Sequence, residues 1–183
     1  WLVVNAGSVQ EDDDQRGLAH MLEHLAFEGT KRFPKHDIQD FIEKSGMKFG
    51  ADLNAFTSFD ETVYQLMVPS DDPKTVTKGL DVLRDWAADI TMDPKESIAE
   101  RKIIEEERRT RNSSQFRMLQ QIIPVAFAGS KYANRLPIGT PEVINSATAE
   151  KLTKFYKSWY RPELMAVVIA GDVDASELEA QVK

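Results

Sequence analysis

The sequence predicts an α+β fold, a largely antiparallel sheet packed against helices. Three observations carry that expectation. The stretches "MKFGADLNAFTSF" (47–59) and "ETVYQLMVPS" (61–70) alternate well enough to pair as antiparallel strands around a turn at Asp60. Apolar residues at helical spacing mark several other segments. Strands and helices are mixed along the chain rather than grouped.

Taken in order, "WLVVNAGSV" (1–9) has the β-branched run of a buried strand. The acidic "EDDDQ" (11–15) reads as a solvated loop whose charge precedes a helix N-terminus, where the helix dipole favours it. Residues 17–29 form a helix with Gly29 as its stop. "PKHDIQDFIEKSG" (34–46) is a second helix, with Ile38, Phe41 and Ile42 on one side and Gly46 at its end. After the strand pair, residues 74–91 are amphipathic through Val76, Leu80, Leu83 and Trp86. Asp93 caps a long helix with Pro94 at its first position, continuing to about Ala128 with a break near Asn112 to Ser114. "KYANRLPIGTPEVI" (131–144) is a loop by its Pro and Gly content. A helix through Leu152, Phe155, Tyr156 and Trp159, the strand "LMAVVIAGD" (164–172) and the start of one more helix close the chain.

With 183 residues and 42% hydrophobic content, one core and one domain over 1–183 are expected. A net charge of -7 argues against nucleic acid or an anionic membrane as the main partner. No apolar run is long enough for a transmembrane helix. The absence of cysteine excludes disulfides and thiolate metal ligands. Trp1 falls inside a strand, so the first strand is expected to be incomplete, and no signal peptide is visible.

The chemistry concentrates in "GLAHMLEHLAFEG". At 100° per residue His20 and His24 lie about 40° apart, with Glu23 on the same side. Two imidazoles one turn apart can aim nitrogens at one ion. The bland alternative makes His20, Glu23, His24 and Glu28 a wet helix face. Against it, Phe27 sits within that arc, and the helix lacks the Lys, Arg, Asp, Asn and Ser of an ordinary solvated face. His36, at a Lys-rich helix start, reads as a surface residue.

A catalytic zinc site needs a third ligand and an open position for water. "AERKIIEEERRTR" offers four glutamates. Glu100 and Glu107, seven apart, share a helix face flanked by Ile103 and Ile104, while Glu105 and Glu106 point away from it. Carboxylates on an inward face need a cation, a metal or a proton. Zinc would explain one of the pair, and Arg111, one turn beyond Glu107, could balance a charge instead. Helical geometry does not rank the two glutamates.

The order His-x-x-Glu-His is the inverzincin motif. With "HMLEH", "FEGTKRFP", "NAFTSFDETVYQL", "AERKIIEEE", "LPIGTPEVI" and "FYKSWYRPELMAVVIAGDVD", the chain resembles the insulinase/pitrilysin family over nearly its whole length. The likeness is nearest to the bacterial branch of zinc proteases associated with the coenzyme-PQQ operon. It implies a zinc endopeptidase domain acting on extended peptides or small unfolded proteins, with one Zn2+ per chain. His20, His24 and Glu107 would be ligands, Glu23 the catalytic base, and Glu100 a supporting acid that does not bind metal. Asn54 and Ala55 match the edge strand that binds substrate backbone. The resemblance also implies a homologous C-terminal half that closes over the substrate, so that this chain alone would bind zinc but cleave poorly. By analogy it implies a bacterial periplasm or cell envelope, with the cytoplasm left open. Three other readings stand beside it. A quorum-signal lyase with the same motif needs an active-site cysteine, which the sequence lacks. A non-catalytic organising subunit of the same fold would usually have lost a ligand or the base. A plain structural domain would satisfy its polar stripe by internal salt bridges.

Overall fold

The computed structural model describes residues 1–182. Four strands make one sheet: β1 (Leu2–Val4), β2 (Leu53–Thr57), β3 (Thr62–Leu66) and β4 (Met165–Val167), in the order β2-β3-β1-β4. Every pairing is antiparallel, with Leu2 opposite Tyr64 and Val167, and Ala55 opposite Tyr64. The helices are α1 (Leu18–Glu28), α2 (Asp37–Lys44), α3 (Pro73–Ala88), α4 (Pro94–Thr110), α5 (Ser114–Ala126), α6 (Pro141–Ser146), α7 (Ala149–Trp159) and α8 (Ala175–Val182). The α+β class expected from the sequence is the one observed.

The side-chain period of two puts Leu2, Val4, Leu53 and Tyr64 on one buried face of the sheet. Onto it packs α1, whose Leu18, Met21, Leu22 and Leu25 are fully buried, with α7 contributing Leu152 and Phe155 to the same core. An aromatic cluster fastens α3 to this arrangement. Trp86 stacks on Tyr64 at a ring-centroid distance of 5.1 Å, and its indole N–H donates to the Ala26 carbonyl of α1 at 2.9 Å. The Tyr64 and Tyr160 hydroxyls meet at 2.7 Å, and Tyr156 donates to the Trp86 carbonyl at 3.0 Å. Each buried aromatic hydroxyl or N–H thus finds a partner, as burial demands.

Several elements differ from the sequence expectation. β1 is three residues long, because Ser8 and Val9 donate to the Ser58 and Phe59 carbonyls of the β2–β3 turn instead of continuing a ladder. β4 is shorter than 164–172; its partner is β1, and the last bond joins Val168 N–H to the Trp1 carbonyl. The long helix breaks where expected, with Ser113 capping α5 through the Phe116 N–H. The stretch 131–144 is not all loop: Thr-Pro-Glu starts α6 at Pro141, where proline is a helix initiator rather than a breaker. The "EDDDQ" segment is not simply solvated, since Glu11 is fully buried while Asp12, Asp13 and Asp14 are exposed. Of the two isoleucines expected beside the inward glutamates, Ile104 is buried and Ile103 is half exposed, because the inward face of α4 is narrower than a two-residue flank.

Candidate metal centre

Gly17, at φ +102°, turns the chain into α1, and the buried apolar stripe of that helix fixes its rotation. His20, Glu23 and His24 therefore emerge on one side, facing α4. Burial of Ile104 fixes the rotation of α4 in turn, and the seven-residue spacing brings Glu100 and Glu107 towards α1. Glu107 Oε2 stands 3.5 Å from His20 Nε2 and 3.4 Å from His24 Nε2, and the two Nε2 atoms are 3.3 Å apart. Among the described residues this is the group of His, Asp and Glu side chains arranged to hold a metal.

The fit can be tested on the triangle itself. Ligands bonded at roughly 2.0–2.1 Å to a tetrahedral zinc stand about 3.3 Å from one another. The three observed edges match that spacing. Two imidazoles and one carboxylate are also a donor set that catalytic zinc uses, with a fourth position for water.

Glu100 lies outside the triangle. It is buried, and its Oε2 is 2.9 Å from His24 Nδ1. With Nδ1 engaged by Glu100, the Nε2 of His24 faces the triangle. His20 has no such support: its buried Nδ1 has no hydrogen-bond partner among the described residues. Arg111 pairs with Glu107 Oε1 at 2.5 Å, leaving Oε2 to face the histidines.

Burial disfavours a charged imidazole at both histidines, but they differ. At His24 the hydrogen bonds to Glu100 and Glu107 outweigh burial and raise it to about 9. At His20 burial and the neighbouring His24 prevail and push it down to about 4. At Glu107, burial is outweighed by the His24 hydrogen bond and the nearby positive charges, which hold it below the usual range.

Glu23 is buried beside the triangle and accepts a hydrogen bond from Thr57 Oγ1 at 2.8 Å on Oε2. Burial holds its carboxyl above the ordinary glutamate range, against the pull of Thr57. Thr57 belongs to β2, the free edge of the sheet, so the edge runs past the site. Bonds from Met67 N–H to Asp52 and from Ser58 N–H to Glu61 set the phase of the β2–β3 ladder. Asn54 and Phe56 therefore bond inwards, and Ala55 and Thr57 turn their backbone to the free edge. Of the two edge residues expected from the sequence, Ala55 presents its backbone, and the Asn54 side chain accepts the Ala55 N–H at 2.9 Å. His36 is exposed and lies away from the triangle, bonded to Gln39.

The sequence reading does not single out Thr57, and it treats Glu11 only as part of a solvated acidic stretch before α1. Thr57 carries a periodicity signal, two residues beyond Ala55 on the same face of the strand. For Glu11 the sequence signal is the acidic charge before a helix N-terminus, which does not show that this residue is buried and bonded to the first turn. Glu11 reaches the first turn of α1 through bonds to Gly17 and Ala19.

The comparisons with known proteins bear on this geometry. Residues 1–137 match the family described as Insulinase (Peptidase family M16), and residues 146–183 match the one described as Peptidase M16 inactive domain. The chain is 43% identical over 177 residues to the probable zinc protease PqqL of Haemophilus influenzae, covering 97% of this chain and 19% of that relative. It is 42% identical to the zinc protease PQQL-like of Arabidopsis thaliana, covering 93% of this chain and 18% of that relative. The solved first half of the periplasmic protease PqqL from Escherichia coli superposes with a TM-score of 0.94 at 35% identity, covering 100% of this chain and 39% of that one. The chain thus spans about a fifth of the length of the curated relatives it matches. The matched segments, with the inverted His-x-x-Glu-His order set on α1, place the chain in the insulinase family of peptidases, family M16.

Proposed function

We propose that residues 1–183 form the N-terminal domain of a zinc-dependent endopeptidase that hydrolyses peptide bonds in extended peptides or small unfolded proteins. The observation that carries this reading is the triangle of His20, His24 and Glu107 with Glu23 beside it. Those three residues would hold one zinc ion, which when bound polarises a carbonyl and lowers the pKa of water towards 7. Glu23, with one oxygen engaged by Thr57, takes the proton of the attacking water on the other oxygen and returns it to the leaving amine. Burial holds its carboxyl above the ordinary glutamate range, which makes it a stronger base for that proton. Glu100 keeps His24 in the tautomer that offers Nε2. Substrate lies along β2 as an added strand, with Ala55 and Thr57 offering backbone groups at the edge.

A homologous C-terminal half would close the site, in keeping with relatives about five times as long, and this chain alone is expected to bind zinc but cleave poorly. The Escherichia coli relative is described as periplasmic, and a bacterial periplasm or envelope is the proposed location. No helix among the described residues is long and apolar enough to cross a membrane. The reading as a non-catalytic organising subunit gains no specific support, because His20, Glu23, His24 and Glu107 are all present.

Metal content of the purified chain by plasma mass spectrometry tests the reading. About one zinc per chain, lost in Glu107→Gln and kept in Glu100→Gln, is the expected result. A folded chain that takes up no zinc when it is supplied would refute it.

A further inference from the structure

We propose that Glu11 is a positioning residue for the metal centre: its buried carboxyl group clamps the first turn of α1 and thereby sets where His20 stands. The proposal rests on the reading of His20, His24 and Glu107 as a zinc site. It starts from an asymmetry between the two histidines. His24 is oriented by Glu100, whereas the far nitrogen of His20 is buried with no partner among the described residues. With no partner on that nitrogen, the place of the His20 ring depends on its contacts within the triangle and on the backbone that carries it.

That backbone is held from outside the helix. The first amides of a helix have no internal partners. Gly17 N–H donates to Glu11 Oε2 and Ala19 N–H to Glu11 Oε1, both at 2.9 Å. One carboxyl group thus spans the start of α1, and Ala19 is the residue immediately before His20. Glu11 is in turn fixed from a distant part of the chain. Its carbonyl accepts from Arg135 Nε at 3.1 Å and from Lys131 Nζ at 3.2 Å, and the Ser8 hydroxyl donates to the Arg135 carbonyl at 2.5 Å. Arg135 is itself buried. Beyond it, Gly139 presses on the same turn, where a Cβ would stand 2.5 Å from Gly17 Cα. The segment 131–140 braces Glu11, and Glu11 braces the helix start.

A cap that served stability alone would lower the melting temperature and leave zinc affinity untouched. A positioning residue alters the site in protein that remains folded. The test compares the unsubstituted chain with Glu11→Ala, Glu11→Gln and Ile38→Ala. The last is a buried change in α2, away from the first turn of α1, and shows what lost stability does by itself. Zinc affinity is measured by competition with a chromophoric chelator, well below each unfolding midpoint. The visible spectrum of the cobalt-loaded protein reports ligand geometry.

The expected result is an affinity about tenfold or more lower in Glu11→Ala, with altered cobalt bands, and a smaller loss in Glu11→Gln, which keeps one acceptor. Ile38→Ala should bind as the unsubstituted chain does. Should Glu11→Ala fail to fold, the Glu11→Gln affinity and spectrum decide the matter. Folded Glu11 variants within about twofold of the unsubstituted affinity, with unchanged cobalt bands, would overturn the proposal. Absence of zinc from the folded unsubstituted chain is a different failure: it would overturn the reading of the site, and the proposal with it.

Discussion

Replacing Trp86 by Phe should loosen the helix that carries the histidines. Ala26 lies in the last turn of α1, where carbonyls lack a helical partner. The amide four residues on, Thr30 N–H, donates to the Phe33 carbonyl instead. The Trp86 indole takes its place at 2.9 Å, inside a core where the side chain is fully buried between Tyr64 and Phe27. Phe keeps most of the ring packing but strands the Ala26 carbonyl, at a cost of about 1–3 kcal/mol. The lost part of the indole adds roughly 1–2 kcal/mol of packing and cavity energy. The sum, about 2–5 kcal/mol, should lower the melting temperature by roughly 5–20 °C in a chain of this size. Thermal and urea unfolding followed by circular dichroism would measure it. A variant within about 0.5 kcal/mol of the unsubstituted chain would show that the Ala26 carbonyl finds another partner and that the reasoning is wrong.

Glu23→Gln should leave zinc content unchanged while lowering peptidase activity of the longer protein by about 10²–10⁴-fold, and loss of metal would show that Glu23 acts as a ligand. Chelating the metal should lower the melting temperature, because zinc at a hundred times its dissociation constant adds about 2.7 kcal/mol to stability; identical unfolding with and without chelator would contradict the site. Glu11 adds a pH dependence. Burial raises its carboxyl from 4.5 to about 8, against the opposing pull of the Ala19 and Gly17 amides and of Arg135 and Arg16. The fold therefore favours the protonated form: its penalty is absent below pH 4.5 and grows as pH rises to about 8. The metal-free chain should lose up to about 1.4 kcal/mol of stability per pH unit in that window, and Glu11→Gln should flatten the slope. Equal slopes in the two proteins would refute that assignment.

Much of the fold was legible because its signals are local. The alternation at 47–59 and 61–70 did become a hairpin, although only Leu53–Thr57 and Thr62–Leu66 keep ladder geometry. Asp93, Pro94 and the break before Ser114 were readable because capping chemistry acts within one turn. The strands expected at both ends of the chain are longer than the observed ones, since strand length depends on whether a partner is available, and a single sequence does not show partners. Pro141 reads as a breaker in the sequence because proline both ends elements and begins helices.

The sequence by itself determined which side chains share a face. Helical geometry puts His20, Glu23 and His24 together on α1, and Glu100 and Glu107 together on α4, whatever the rest of the chain does. Only the tertiary structure decided how those faces meet. Packing of α4 against α1 brings Glu107 to both histidines and leaves Glu100 behind His24, across 76 residues of chain. The same core lays the β2 edge beside Glu23, and Lys131 and Arg135, more than a hundred residues on, hold Glu11 at the start of α1. The reason is physical: backbone geometry repeats every few residues and leaves a local pattern, whereas the approach of two faces is set by how the whole core packs.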